Sequence, residues 1–316
     1  MNLRLLLLLC FLCFACAKKE KVDSPKAHAE NLDDPYITIL GIAQDGGFPH
    51  INNPAEFDAV VSGLKKRERV VSLGLFDPQA DKKYLFEATP DLPSQIHSLT
   101  SIMPGETLVD GIFLTHAHMG HYTGLMHLGR EALGGHQIPV YTMPKMETFL
   151  QRNGPWNQLV RLENIKLVAQ QNNQKAVLSA ELSVTPFLVP HRDEFSETVG
   201  YRIQGPNRSA LFIPDIDKWS AWDKAIQEEV ATVDYAFVDA TFYAEGEIPR
   251  PMSEVPHPFI SETVALFAKA DIATKSKIIF IHFNHSNPLL DENHPKRIAL
   301  EKEGFRFAKE GEVYSL

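Results

Sequence analysis

An α/β layered fold is predicted from three features of this sequence. Short apolar runs alternate with helical stretches from Tyr36 to the C-terminus. Apolar residues make up 44% of the 316, enough for a full hydrophobic core. No internal repeat and no Pro- or Gly-rich boundary forces a second domain onto residues 36–316. Interleaving of this kind places helices against the faces of a sheet.

Before that domain, Met1-Asn2-Leu3-Arg4 gives a positive start, residues 5–14 are continuously apolar, and Ala15-Cys16-Ala17 offers small residues for a peptidase. Residues 1–16 therefore read as an export signal, too short to span a bilayer as a helix. Cys13-Phe14-Ala15-Cys16, followed by Lys18, Lys19 and Lys21, resembles a bacterial lipoprotein signal, although Cys13 stands where Leu is usual. The expectation is an exported protein of the periplasm or cell envelope, held to the membrane by a lipid on Cys16. Residues 17–35 are polar, without apolar period, and suit a flexible tether.

All three cysteines, Cys10, Cys13 and Cys16, lie in the signal. Any metal in the domain must then be held by His, Asp or Glu. The net charge is −9, and loss of the signal, whose one charge is Arg4, makes the chain more negative still. Such a chain has no bulk attraction for nucleic acid, and a small-molecule substrate is the expected partner.

Within the domain, residues 36–41, 70–75, 83–88, 111–115, 140–143, 199–203, 210–213, 236–238 and 277–281 read as strands. Residues 92–99, 122–133, 145–152, 221–231, 261–269 and 295–303 read as helices. The run Ile112-Phe113-Leu114 delivers Thr115-His116-Ala117-His118-Met119-Gly120-His121. Residues two apart on extended chain share a side, so His116 and His118 can meet one ion while His121 turns back from the start of the next helix. With 13 histidines in the chain, that spacing arises by chance at roughly 2% by composition. Gly41-Ile42-Ala43-Gln44-Asp45-Gly46-Gly47 lacks the Lys-Ser/Thr of a phosphate loop, and reads instead as a tight turn by the pocket, which Asp45 could line.

Thr115-His116-Ala117-His118-Met119-Gly120-His121 after an apolar strand resembles the metal motif of the metallo-β-lactamase superfamily, and further landmarks follow in order. Phe86-Glu87-Ala88-Thr89-Pro90-Asp91 resembles the strand end before the first helix. His191 in Val189-Pro190-His191 resembles the third ligand of the first metal, Asp215 in Ile213-Pro214-Asp215 the bridging aspartate, and His282, ending Ile278-Ile279-Phe280-Ile281, the last histidine. The resemblance implies an αββα sandwich of two mixed sheets with helices on the outer faces. It also implies metal ligands His116, His118, His121, His191, Asp215 and His282. His285, three residues on, competes with His282 for the terminal place.

Gly41-Ile42-Ala43-Gln44-Asp45-Gly46-Gly47-Phe48-Pro49, Asp239-Ala240-Thr241-Phe242, Val255-Pro256-His257-Pro258 and His282-Phe283-Asn284-His285-Ser286-Asn287-Pro288 further resemble the pyrroloquinoline quinone biosynthesis protein B family. Two departures mark a sister branch. Ile51-Asn52-Asn53-Pro54 replaces the cysteines that follow in that family, and both His116 and His118 are kept where its metal motif is altered.

Three imidazoles leave an ion one open position for water, whose pKa falls to about 7, so a metal-bound hydroxide and hydrolysis are expected. The scissile bond is left open among ester, lactone, amide and phosphodiester. Asp215 would bridge two ions or orient water, and His257 or His285 would stabilise charge or donate a proton. Zinc is the expected ion, with Fe2+ or Mn2+ as alternatives. Because Gly120 stands where most superfamily members carry a second-metal Asp, one tight metal and a weak second are expected. An iron- and oxygen-dependent oxidoreductase and a non-catalytic exported metal-binding protein remain the other readings.

Overall fold

The computed structural model describes residues 33–316, so the signal, Cys16 and all but the end of the tether lie outside the described residues. Strands β1 (Tyr36–Gly41), β2 (Ser72–Asp77), β3 (Lys82–Phe86), β4 (Gly111–Phe113), β5 (Ile138–Thr142) and β6 (Ile165–Ala169) build one sheet. Strands β7 (Ala176–Val177), β8 (Ser183–Leu188), β9 (Val199–Gln204), β10 (Ser209–Ile213), β11 (Tyr235–Asp239), β12 (Ile278–Ile281) and β13 (Arg306–Phe307) build a second. The last strand, β14 (Val313–Ser315), returns to the first sheet beside β1. Each sheet has seven strands and two halves. In the first, β14 to β3 pair antiparallel and β3 to β6 parallel. In the second, β7 to β10 pair antiparallel and β10 to β13 parallel.

The side-chain period of two explains why the first sheet's strands are apolar almost throughout. Ile37 and Ile39, Leu73 and Leu75, Tyr84 and Phe86, and Phe113 enter the core shared with the second sheet. The alternate residues Tyr36, Leu40, Phe76, Leu85, Ile112 and Leu114 enter a second core on the outer face. There the helix Leu92–Ile102 turns Leu92, Gln95, Ile96 and Leu99 inward, the i, i+3, i+4, i+7 stripe of a helix lying on a sheet. Ile226, Val230, Ile260 and Leu300, from three helices, are buried with the second sheet. Between the sheets Phe113 stacks on Phe86 and Tyr141 at centroid distances of 5.0 and 4.2 Å, and Phe212 meets Phe86 edge-on at 5.8 Å. The expected αββα sandwich is what forms.

Local expectations need correction at several points. The stretch 122–133 is not one helix: a single α turn, Met119–Tyr122, runs into a 3-10 segment, Thr123–Leu128, and stops. Gly124 lets that segment press on the turn after β3, since a β-carbon there would lie 2.0 Å from the Thr89 carbonyl oxygen, and Gly129 caps its end. The stretch 221–231 is helical only over Ile226–Ala231. Strands β6, β7, β8, β13 and β14 and the helices Pro54–Val61, Trp156–Arg161 and Ile272–Lys275 carry too weak a period to have been foreseen. β8 holds Pro186, and Pro54–Val61 buries no residue at all.

A candidate metal centre

The functional side chains come from the ends of β1, β4, β10, β11 and β12 and from the turn between β8 and β9, all at one end of the sandwich. His116 and His118 follow β4, where Val199 N–H donates to the Thr115 carbonyl at 3.1 Å and Tyr201 O–H to the Leu114 carbonyl at 2.6 Å. The second sheet thereby clasps the histidine segment of the first. His282 leaves β12 at φ +70°, a left-handed conformation unusual for a residue other than glycine, and Glu87 leaves β3 at φ +73°. Both are completely buried, and backbone strain of this kind survives only where the surroundings hold it.

Four donors converge first. His116 Nε2 lies 3.3 Å from Asp215 Oδ2, His191 Nε2 3.3 Å from Asp215 Oδ1, and His118 Nδ1 3.3 Å from His191 Nε2. Donors about 2.1 Å from a tetrahedral ion stand roughly 3.4 Å apart, so His116, His118, His191 and Asp215 are spaced to share one. Their buried polar atoms point the same way: His116 Nε2 and Asp215 Oδ1 find no hydrogen-bond partner among the described residues, which is costly unless something else occupies the centre.

A second group of four shares Asp215. His121 Nε2 is 3.7 Å from Asp215 Oδ2 and 3.1 Å from Asp45 Oδ1, and His282 Nε2 is 3.6 Å from Asp45 Oδ1. All four donors lie within 4.8 Å of one another. His282, not His285, joins the cluster. His285 instead places Nδ1 2.8 Å from Glu56 Oε1 and stacks on His50 at 4.1 Å.

His257 Nδ1 sits between two carboxylates, 3.1 Å from Asp215 Oδ1 and 2.9 Å from Asp239 Oδ2. Burial pushes its pKa down, but Asp239 and Asp215 more than offset this and raise it to about 10. His191 behaves alike: burial lowers it, and Asp215 and Asp217 carry it up to about 9. Burial likewise opposes ionisation of Asp215 and Asp45, yet the surrounding histidines hold both well below the usual carboxylate range. His116 is pushed well down by burial and by His121, while the carboxylates of Glu87 and Asp45 override burial and hold His121 well up.

Behind the ring nitrogens stands a set of orienting groups that sequence reasoning did not single out. Asp217 Oδ1 is 3.0 Å from His191 Nδ1, Thr115 Oγ1 2.9 Å from His116 Nδ1, Thr241 Oγ1 2.9 Å from His282 Nδ1, and Glu87 Oε1 3.4 Å from His121 Nδ1. Such partners fix the tautomer and the ring plane of a metal-binding imidazole. Asp217, two residues beyond Asp215, and Thr115, beside His116, could have been flagged by adjacency alone. Glu87 and Thr241 could not.

Above the centre opens a pocket of about 500 Å³. Phe242, Ile248 and Val255 supply apolar wall, and His50, Arg192, Arg250, His257 and His285 supply positive or proton-bearing groups.

Comparison with known proteins agrees with this architecture. Residues 82–283 match the model of the beta-lactamase superfamily domain. Coenzyme PQQ synthesis protein B of Pseudomonas savastanoi pv. phaseolicola is 26% identical over 305 residues, covering 87% of this chain and 98% of that protein. The same protein of Gluconobacter oxydans is 24% identical, covering 89% and 98%. Zinc-bound PqqB of Methylobacterium extorquens superposes with a TM-score of 0.73 at 20% identity, covering 89% of this chain and all of that one. A diphosphatase of the PhnP family superposes with a TM-score of 0.62 at 22% identity, covering 89% and 97%. With a match that spans well over half its length and reaches from β3 to just past His282, the chain belongs to the beta-lactamase superfamily, on a fold it shares with PqqB.

Proposed function

We propose that the chain is a metal-dependent hydrolase of a small anionic ester, with phosphodiesters and carboxylate-bearing lactones as the substrate class. The observation that carries this reading is the convergence of His116, His118, His191 and Asp215, with buried donor atoms left unpartnered, beneath a pocket whose rim holds Arg192 and Arg250. Neither arginine has a hydrogen-bonding or ionic partner among the described residues. Unpaired guanidinium groups facing a pocket are suited to carboxylate or phosphate.

The donors are nitrogen and oxygen only, which suits zinc and also Fe2+ or Mn2+. A divalent ion held there would supply Lewis acidity, making water a nucleophile near neutrality and polarising the scissile group. The chain's own residues do the rest. Asp215 stays ionised and can orient the attacking water. His257 keeps a proton at its Nδ1, held by Asp239, and turns its ring to the pocket where negative charge develops. Arg192 and Arg250 hold the anionic group, while Phe242, Ile248 and Val255 exclude water from the apolar part. His285, braced by Glu56 and His50, stands on the pocket wall as a proton donor to the leaving group.

The test is a panel of phosphodiesters and lactones, each with and without a free carboxylate, offered to chelated protein reconstituted with Zn2+, Mn2+ or Fe2+. Turnover that depends on metal, with KM raised by Arg192→Ala and Arg250→Ala for anionic substrates only, supports the proposal. No turnover of any member would count against it. Activity confined to the iron form and dependent on oxygen would favour the oxidoreductase reading, which the same donor set also permits. We further propose that the protein is exported and anchored through Cys16. Among the described residues no helix is long and apolar enough to cross a membrane.

A further inference from the structure

Gly120 follows the two histidines His116 and His118 and directly precedes His121, yet it has no room for a side chain. A β-carbon built on it would lie 2.5 Å from Asp45 Oδ1, 2.6 Å from Asp45 Cγ and 2.6 Å from Asp45 Cα. Two of those neighbours could swing away with a rotamer change. The third is backbone, so any residue larger than glycine must displace the Asp45 turn itself.

The turn is not free to move. Ile42 and Ala43 donate their N–H groups to the Arg69 carbonyl at 2.9 Å, Phe283 donates to the Ile42 carbonyl at 2.8 Å, and Gln44 donates to the Phe283 carbonyl at 2.8 Å. Gly47, at φ +67°, closes the turn. The mount delivers one carboxylate oxygen to 3.1 Å from His121 Nε2 and 3.6 Å from His282 Nε2. The far side of the His282 ring is hydrogen-bonded to Thr241, and Glu87 Oε1 stands 3.4 Å behind His121 Nδ1 as an ion-pair partner. His282 Nε2 is fully buried and has no hydrogen-bond partner among the described residues. An Asp–His ion pair would explain one of these contacts. It does not explain two imidazole nitrogens, one of them orphaned, and the Asp215 carboxylate meeting around a single point.

We infer that Asp45 is the acidic ligand of a second divalent-metal site completed by His121, Asp215 and His282, and that Gly120 is the vacancy that admits it. The two positions act as one unit: a carboxylate reaches this place either from the turn after β1 or from the residue before His121, never from both. This rests on the metal-dependent reading above and deepens it. It also reverses the expectation of a weak second site, because the carboxylate missing at residue 120 is supplied from residue 45. Inserting Asp at 120 alone therefore does not strengthen the site; it drives out the ligand already there.

The experiment is calorimetric titration of zinc-free protein with ZnCl2, with bound zinc counted after dialysis. The wild type takes up two equivalents. Asp45→Ala keeps the first and loses the second, and Asp45→Asn, which preserves the shape of the turn, weakens the second by more than the ~10–100-fold that loss of a merely orienting group costs. Gly120→Ala, which removes no donor atom but displaces Asp45, also loses the second equivalent. Two tight equivalents retained by Asp45→Ala or by Gly120→Ala would overturn the inference. A wild type that binds no zinc, manganese or iron sinks the metal-dependent reading and this inference together. That result is distinct from the other two. Circular dichroism of each zinc-free variant separates a lost ligand from a lost fold.

Discussion

The hydroxyl of Tyr201, on β9 of one sheet, donates a 2.6 Å hydrogen bond to the carbonyl of Leu114 at the end of β4 in the other. Both residues are buried, and the bond lies one residue before the segment that carries His116 and His118. Tyr201→Phe keeps the ring packing against Phe86 and Phe113 while leaving a buried carbonyl unpaired. We expect the zinc-free variant to lose about 1–3 kcal/mol in chemical denaturation. Unchanged stability would show that Gln170, 3.1 Å from the same hydroxyl, or a water satisfies the carbonyl instead.

The first donor group gives a graded series. His116→Ala, His118→Ala and His191→Ala should each remove most of the metal that the wild type retains after dialysis. Asp217→Asn removes no donor but frees the His191 ring, and should weaken the first equivalent by ~10–100-fold. Elemental analysis at stoichiometric zinc checks the alanine series, and competition against a chelator checks Asp217→Asn. Full retention of metal by all three alanine variants would refute the assignment.

Away from the centre, Glu68 offers a pH signature. Burial raises its pKa from 4.5 to about 7, only partly offset by Lys66. The folded state therefore keeps a proton that the unfolded state releases. Stability from this group is complete below pH 4.5, falls as pH rises through the window to about 7, and is then constant, a loss of no more than about 3 kcal/mol. Unfolding free energies of wild type and Glu68→Gln, compared at pH 4.5 and pH 8, should differ by more at the higher pH, in favour of Gln. A pH-independent difference would mean that Glu68 ionises normally.

Membrane attachment is tested in cells. Metabolic labelling with a fatty acid should mark the wild type and miss Cys16→Ser. Label that persists in the variant would place the anchor elsewhere or remove it from the account.

How much of this was legible beforehand depended on locality. His116, His118 and His121 are close in sequence, and their spacing carries its own statistical weight. His191, Asp215 and His282 were reached through the landmarks around them. Asp45 was seen only as a possible pocket residue, because its partners His121 and His282 are 76 and 237 positions away and its flanking glycines are equally consistent with an ordinary turn. Gly120 was noticed as a missing side chain, but that Asp45, 75 positions earlier, fills the space beside it could not be read from the sequence. Among the strands, apolar runs buried on both faces were found. β8 was missed because Pro186 and its exposed end blur the pattern, and β6 because only its first residue is fully buried.

Ala43 pairs with Val70 on one side and with Phe283 on the other. That one residue is stitched into both halves of the molecule at the end where the ligands gather. A shift of either half is therefore passed through this seam to the other, and the two sheets, for all their separate hydrogen-bond ladders, behave as one rigid jaw around the side chains they lend to the shared centre.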